Sequence, residues 1–144
     1  MKNVAVFGAG RIGRIHASNL AALGGVTLKY VCDPVPAAAA ELAQKLGAAV
    51  SSIDAVLADK SVDAVAICSS TDTHSDLITR SAVAGKNIFC EKPVDLSVPR
   101  AIACGEAVQA AGVACMIGFQ RRFDPTFNDA SRRLLAGEIG KPEM

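Results

Sequence analysis

Alternating strand-like and helix-like segments predict an α/β fold built on a doubly wound parallel sheet. Two further features point the same way. The strand-like runs are continuously apolar, the pattern of strands covered on both faces. Alanine occurs 26 times, so the apolar content is dominated by small side chains that let helices lie close on a sheet. A chain of 144 residues has room for one such domain and a small appendage.

Residues 4–7 are a short run of β-formers that ends at Gly8. Ile12, Ile15, His16, Leu20 and Leu23 then recur at helical spacing, and Gly24-Gly25 stops that helix. A second strand is expected over 26–32, broken by Asp33-Pro34. An alanine-rich helix follows over 37–46, with Gly47 as its C-cap. A short strand at 49–50 precedes a brief helix over 51–58, capped by Ser51 or Ser52. The next strand spans 63–68, and a polar loop, 69–73, leads into a helix over 74–84 closed by Gly85. A strand at 87–90, a helix from a Ser97 cap to 111, and a sixth strand over 113–117 complete the alternation. Polarity rises at Gln120, and 125–137 reads as one more helix, followed by a turn at 137–142. The chain therefore divides into a sheet domain, 1–119, and the start of a second unit, 120–144.

Fifteen basic residues against fourteen acidic ones leave a net charge of +1, which argues against a nucleic-acid partner. No apolar run approaches the ~18–20 residues that cross a bilayer, and the N-terminal run is short for a secretion leader. A cytoplasmic location with no membrane partner is expected. The five cysteines, at 32, 68, 90, 104 and 115, are odd in number and never spaced C-x-x-C. They are expected to be buried small side chains, with no disulfide framework and no metal site.

Gly8-Ala9-Gly10-Arg11-Ile12-Gly13 reads G-x-G-x-x-G between the first strand and the first helix. In that setting Gly8 permits the tight turn, Gly10 lets a pyrophosphate approach the backbone, and Gly13 brings the helix close to the sheet. The helix N-terminus then offers free N–H groups to phosphate. Asp33 falls twenty residues after Gly13, where an acid bonds the adenine ribose hydroxyls. Pro34-Val35-Pro36 supplies no cation for a 2′-phosphate, so NAD is favoured over NADP. Arg11 either touches the pyrophosphate or is solvated. His16, one turn into the helix, is expected to pack or cap rather than catalyse. Glu41 and Lys45 are spaced as a solvated i,i+4 pair.

Glu91-Lys92-Pro93 follows the fifth strand, at the sheet end that lines the ligand crevice of such folds. Lys92 there either is a solvated strand-end lysine or bonds an alcohol and helps move its proton. Either isomer of the bond before Pro93 is open. Taken in order, the glycine turn, His16, Asp33-Pro34, Thr71-Asp72-Thr73-His74, Glu91-Lys92-Pro93 and the run Gly118-Phe119-Gln120-Arg121-Arg122-Phe123-Asp124-Pro125 resemble the glucose-fructose oxidoreductase and inositol dehydrogenase family. The Arg-Arg-Phe-Asp run is most similar to the inositol 2-dehydrogenase branch.

That resemblance implies a Rossmann-type fold and a hydride transfer from a secondary alcohol of a polyol or sugar to NAD. It implies that Gly8, Gly10, Arg11, Ile12 and Gly13 hold the pyrophosphate and Asp33 the adenine ribose. Ser69, Ser70, Thr71 and His74 would line the cofactor, and Glu91 and Lys92 would meet the nicotinamide ribose. Lys92 would also reach the substrate hydroxyl, and Arg121 would sit near nicotinamide and substrate; Phe119 is expected to pack. Family members carry a second α+β domain beyond this point, with a catalytic Asp and His that have no counterpart here. Negligible turnover by these residues alone is therefore expected, with a homo-oligomer possible. A non-catalytic NAD sensor and a ligand-free remnant are the competing readings.

Overall fold

The computed structural model describes residues 1–141. Six strands, β1 (Lys2–Phe7), β2 (Val26–Cys32), β3 (Ala49–Val50), β4 (Ala64–Ile67), β5 (Asn87–Cys90) and β6 (Cys115–Ile117), form one sheet. Its order is β3-β2-β1-β4-β5-β6, and every neighbouring pair is parallel. Parallel neighbours need crossovers, and helices supply them: α1 (Arg11–Ala22), α2 (Pro36–Leu46), α3 (Ile53–Ala58), α4 (His74–Val83) and α5 (Val98–Ala111). The chain leaves β3 at one edge and returns beside β1 as β4, so the order reverses between β1 and β4. That reversal opens a crevice at the carboxyl ends of the strands.

Two apolar clusters cover the two faces of the sheet. Val6, Leu28, Val31 and Ala66 meet Ala17 of α1 and Leu42 and Ala43 of α2. On the other face, Phe7, Val65, Ile67 and Ile88 meet Leu77 and Ile78 of α4. The residues on α1 and α2 are mainly alanine at the contact, which is the use that the composition predicted for them.

The element order matches the expectation, and the differences lie at the ends. β1 begins at Lys2 because Lys2 pairs with Val26 and its Nζ reaches Asp63 at 2.7 Å. Ser52 does cap α3, accepting from the Ala55 N–H. Ser97 does not cap α5 with its side chain; instead Asp95 accepts the Ser97 N–H at 2.8 Å. The Glu41–Lys45 pair is not formed: Glu41 takes both guanidinium nitrogens of Arg14 instead, at 2.7 and 2.9 Å. A bidentate bond to a planar guanidinium beats a flexible lysine on the same helix. Cys32, Cys68, Cys90 and Cys104 are buried as expected, and Cys115 is half-buried.

Beyond β6 a 3-10 turn (Gln120–Phe123) leads into α6 (Pro125–Leu135), whose first turn Asp124 caps through the N–H groups of Thr126 and Phe127. Phe127 and Leu135 of α6 are exposed. The helix rests on the 3-10 turn, with the Arg121 guanidinium 4.3 Å from the Phe127 ring, and does not fold back on the sheet. The turn expected at 137–142 ends at Pro142, which lies outside the described residues.

Two polar groups buried off the site stabilise the crossovers. Lys86 is only 4% exposed, and its Nζ donates to the carbonyls of Asp59 and Val62 at 2.7 and 3.0 Å. Asp95, at the start of α5, accepts from Ser75 of α4, from the Ser97 N–H and from Arg100. The Ser75 hydroxyl, the Ser97 N–H and the Arg100 guanidinium hold its carboxyl well below the usual range.

Two outcomes follow for stability. Lys86→Met leaves the buried Val62 carbonyl unpartnered, while the Asp59 carbonyl keeps the Val62 N–H at 3.1 Å, and should cost about 2 kcal/mol, read as a lower urea midpoint. The folded Asp95 is more acidic than the unfolded one, so its contribution is complete above the unfolded value near pH 4 and is lost as pH falls below it. Asp95→Asn should be less stable than wild type at neutral pH and should lose less on acidification, measured as urea midpoint against pH.

Candidate functional site

The glycine turn begins where β1 ends. Gly8 has φ of +106°, and a Cβ there would lie 2.6 Å from the carbonyl oxygen of Cys68 at the end of β4. A Cβ on Gly13 would lie 1.9 Å from the Gly8 carbonyl oxygen. Only glycine at both positions allows α1 to start so close to two strand ends. Gly10 is different: it is extended, with φ of −69°, and a Cβ there would meet nothing within 4 Å. The space over Gly10 is open.

No side chain caps the N-terminus of α1, and no acidic residue sits in its first turn. The leading N–H groups are therefore free and carry the positive end of the helix dipole. Ile12 packs against the α1 face of the core, and Arg11 projects exposed from the first turn. Asp33 follows β2 and braces the turn, accepting the Ala9 N–H at 2.6 Å through one oxygen and the Val35 N–H at 2.8 Å through the other. Arg14, which sequence reading passed over, holds the same turn from within α1: its Nε donates to the Ala9 carbonyl at 3.1 Å. A basic residue one position after the glycine motif, with an acid on the next helix, was the available signal.

Across the crevice, the loop after β4 carries Ser69, Ser70 and Thr71. The hydroxyls of Ser69 and Thr73 bond each other at 2.6 Å, and Thr73 Oγ1 donates to the Ser70 carbonyl. Those bonds fix the loop ahead of α4. His74 is not on the crevice surface. Its ring is 2% exposed, with Nδ1 2.7 Å from the Pro93 carbonyl oxygen and Nε2 3.1 Å from the Ser69 carbonyl oxygen. Expected to line the cofactor, His74 instead sets both ring nitrogens against backbone carbonyls and so joins the loop at Ser69 to the turn at Pro93.

The Glu91-Lys92-Pro93 turn follows β5, and the Lys92–Pro93 bond is cis. His16 packs as expected, its ring 4.8 Å from that of Phe89, and its Nε2 bonds Glu91 Oε1 at 2.7 Å. Lys92, Phe119, Gln120, Arg121 and Arg122 line a cleft of about 340 Å³. The structure thus brings Lys92 and Arg121 onto one wall, at the carboxyl ends of β5 and β6. Phe119 corrects its expectation: it is 53% exposed and lines that cleft rather than packing in the core. β6 ends at Ile117, and a Cβ on the buried Gly118 would lie 3.0 Å from the Phe89 ring, so the chain passes close to β5 just before Phe119. A larger hollow of about 500 Å³ lies along the apolar flank between α1 and β4–β6, away from the glycine turn.

The cysteines supply no nucleophile near this crevice. Burial pushes the thiols of Cys32 and Cys68 up to about 12, and that of Cys90 up as well.

A glycine turn into a helix N-terminus, an acid after β2 and a strand-order switch define a Rossmann-type dinucleotide-binding domain. Residues 2–119 match the GFO/IDH/MocA oxidoreductase family, described by its NAD-binding Rossmann fold, and the chain belongs to that family. It is 47% identical over 139 residues to inositol 2-dehydrogenase of Rhizobium meliloti, covering 96% of this chain and 42% of that one. It is 48% identical over 141 residues to scyllo-inositol 2-dehydrogenase (NAD(+)) of Bacillus subtilis, covering 96% and 41%. Among solved structures, scyllo-inositol dehydrogenase from Lactobacillus casei with bound NAD(H) and scyllo-inositol superposes with a TM-score of 0.89 at 30% identity, over 98% of this chain and 43% of that one. The chain spans less than half the length of these relatives.

The geometry separates two kinds of glycine, and a pair of variants tests it. Gly13→Ala should lose about 3 kcal/mol or more of stability, because backbone meets backbone. Gly10→Ala should change stability by less than about 0.5 kcal/mol, yet weaken cofactor binding by filling the space over the turn. Urea unfolding and calorimetric titration, run on both variants, read the two effects.

Proposed function

We propose that this chain is the cofactor-binding part of an NAD-dependent dehydrogenase acting on a secondary alcohol of an inositol-like polyol or sugar. The observation that carries the reading is Lys92 and Arg121 sharing one cleft at the strand ends, on the far side of the crevice from the glycine turn. A protein that only held NAD needs the turn and Asp33, but no ammonium and guanidinium where a hydroxylated ligand would sit. The inositol dehydrogenases among its relatives support the choice of polyol.

The residues fit the cofactor. Gly8, Gly10, Arg11, Ile12 and Gly13 form the pyrophosphate cradle, with the free N–H groups of α1 as donors. Each Asp33 oxygen, already bonded to one N–H, keeps a lone pair for a ribose hydroxyl. Ser69, Ser70 and Thr71 flank the cofactor after β4, and Glu91 faces the second ribose. Bound NAD supplies the hydride acceptor. Lys92 donates to the reacting hydroxyl and joins the relay that removes its proton, while Arg121 orients the polyol. Residues 120–144 begin the substrate-binding unit. Among the described residues, those lining the cleft include no histidine and no carboxylate. Without a second proton acceptor, turnover by this chain alone should fall about 10²–10⁴-fold below that of a complete site.

Asp33 sets the cofactor preference, because its carboxylate repels a 2′-phosphate and no cation replaces it in Pro34-Val35-Pro36. Calorimetric titration should show NAD binding at least about tenfold tighter than NADP in wild type, and Asp33→Ala should abolish the preference. Equal affinities in wild type would remove Asp33 from this role. Rapid inositol oxidation by the chain alone would contradict the division of labour.

A further inference from the structure

The sequence contains two histidines, and the structure aims both at the same turn from opposite ends. His16, on the helix that follows the glycine turn, bonds Glu91, the residue before Lys92, at 2.7 Å. His74, at the start of α4, approaches the carbonyl of Pro93, the residue after Lys92, at 2.7 Å. Both rings are anchored elsewhere as well. His16 lies against Phe89 of β5, and the second nitrogen of His74 faces the Ser69 carbonyl at 3.1 Å. Glu91 is itself folded onto the turn, its other oxygen 3.3 Å from the Lys92 N–H. Lys92 is thus held through its neighbours, while its ammonium is exposed on the cleft.

We propose that His16 and His74 are positioning residues that clamp the Glu91-Lys92-Pro93 turn from its two ends and so set Lys92 and Glu91 against the nicotinamide half of the dinucleotide. This rests on the NAD reading above and adds how the site is held. A carbonyl or carboxylate oxygen only accepts, so each bracing contact needs a donor at one particular ring position. At residue 16 that position is Nε2; for the Pro93 contact of residue 74 it is Nδ1. A glutamine amide reaches about as far as Nε2, and an asparagine amide about as far as Nδ1. The two positions therefore demand opposite amides. His16→Gln and His74→Asn keep the brace, whereas His16→Asn and His74→Gln lose it.

The four variants of the 144-residue chain are titrated with NAD and with ADP, which offers the adenosine and both phosphates but nothing beyond them. His16→Asn and His74→Gln should weaken NAD about tenfold, the loss of one hydrogen bond involving a charged or buried group. His16→Gln and His74→Asn should stay within about twofold of wild type for NAD, and ADP should stay within about twofold in all four. A general loss of structure moves ADP and NAD together and counts against the clamp. So do unchanged NAD affinities throughout, or the reversed amide pattern at either position. If wild type binds neither NAD nor ADP, the cofactor-site reading itself has failed, and that result is distinct from all the others.

Discussion

The rest of the site depends on how closely α1 approaches the ends of β1 and β4. With Gly8 and Gly13, the first turn of the helix touches the backbone of both strands; a methyl group at either place would overlap a carbonyl oxygen. Dispersion and alanine packing hold the helix down along its length, but its start is fixed by this contact. The open space over Gly10 and the uncapped N–H groups follow from it. Asp33 and Arg14 then lock the same turn from two directions, one through the Ala9 N–H and one through the Ala9 carbonyl.

The parallel sheet does the second half of the work. Every strand runs the same way, so every loop after a strand opens on the same edge. Asp33, Ser69–Thr71, Glu91-Lys92 and the Arg121 turn are distant in sequence and lie along one edge of the sheet for that reason alone. Hydrogen bonds between the loops replace the packing that loops lack. Ser69 and Thr73 tie one loop to itself, and His74 joins it to the next. Asp95 and Arg100 secure the start of α4 against α5 through Ser75. The crevice is in this sense preformed, and little ordering is left for a ligand to bring about.

The sheet, its helices and the glycine turn were legible in the sequence because each has a local cause. Continuous apolar runs such as 64–68 give strands, periodic apolar positions give helices, and glycine marks the close contact. Position 33 was legible for the same reason, being set by the length of one βαβ unit. Contacts made by long side chains across the fold were not legible. Glu41 chose Arg14 over the nearer Lys45, and Lys86 became a buried anchor for carbonyls of residues 59 and 62. His74 was read as facing the ligand and proves to face the protein. Periodicity places a residue on a helix face, but it does not say which of several acceptors a flexible or two-sided donor will meet. Phe119 shows the converse: an aromatic side chain suggests a core, yet the chain had already left the sheet at Gly118.

The central claim is that one crevice, running from the glycine turn to the Lys92–Arg121 cleft, holds the dinucleotide end to end. Amide chemical shifts of the isotope-labelled chain, followed during addition of NAD, test it most directly. The account predicts shifts at Gly10–Gly13 and Asp33 together with shifts at Ser69–Thr71, Lys92 and Arg121, all saturating with one affinity. Shifts confined to the apolar flank between α1 and β6, or changes at the glycine turn with none at Lys92 and Arg121, would contradict it.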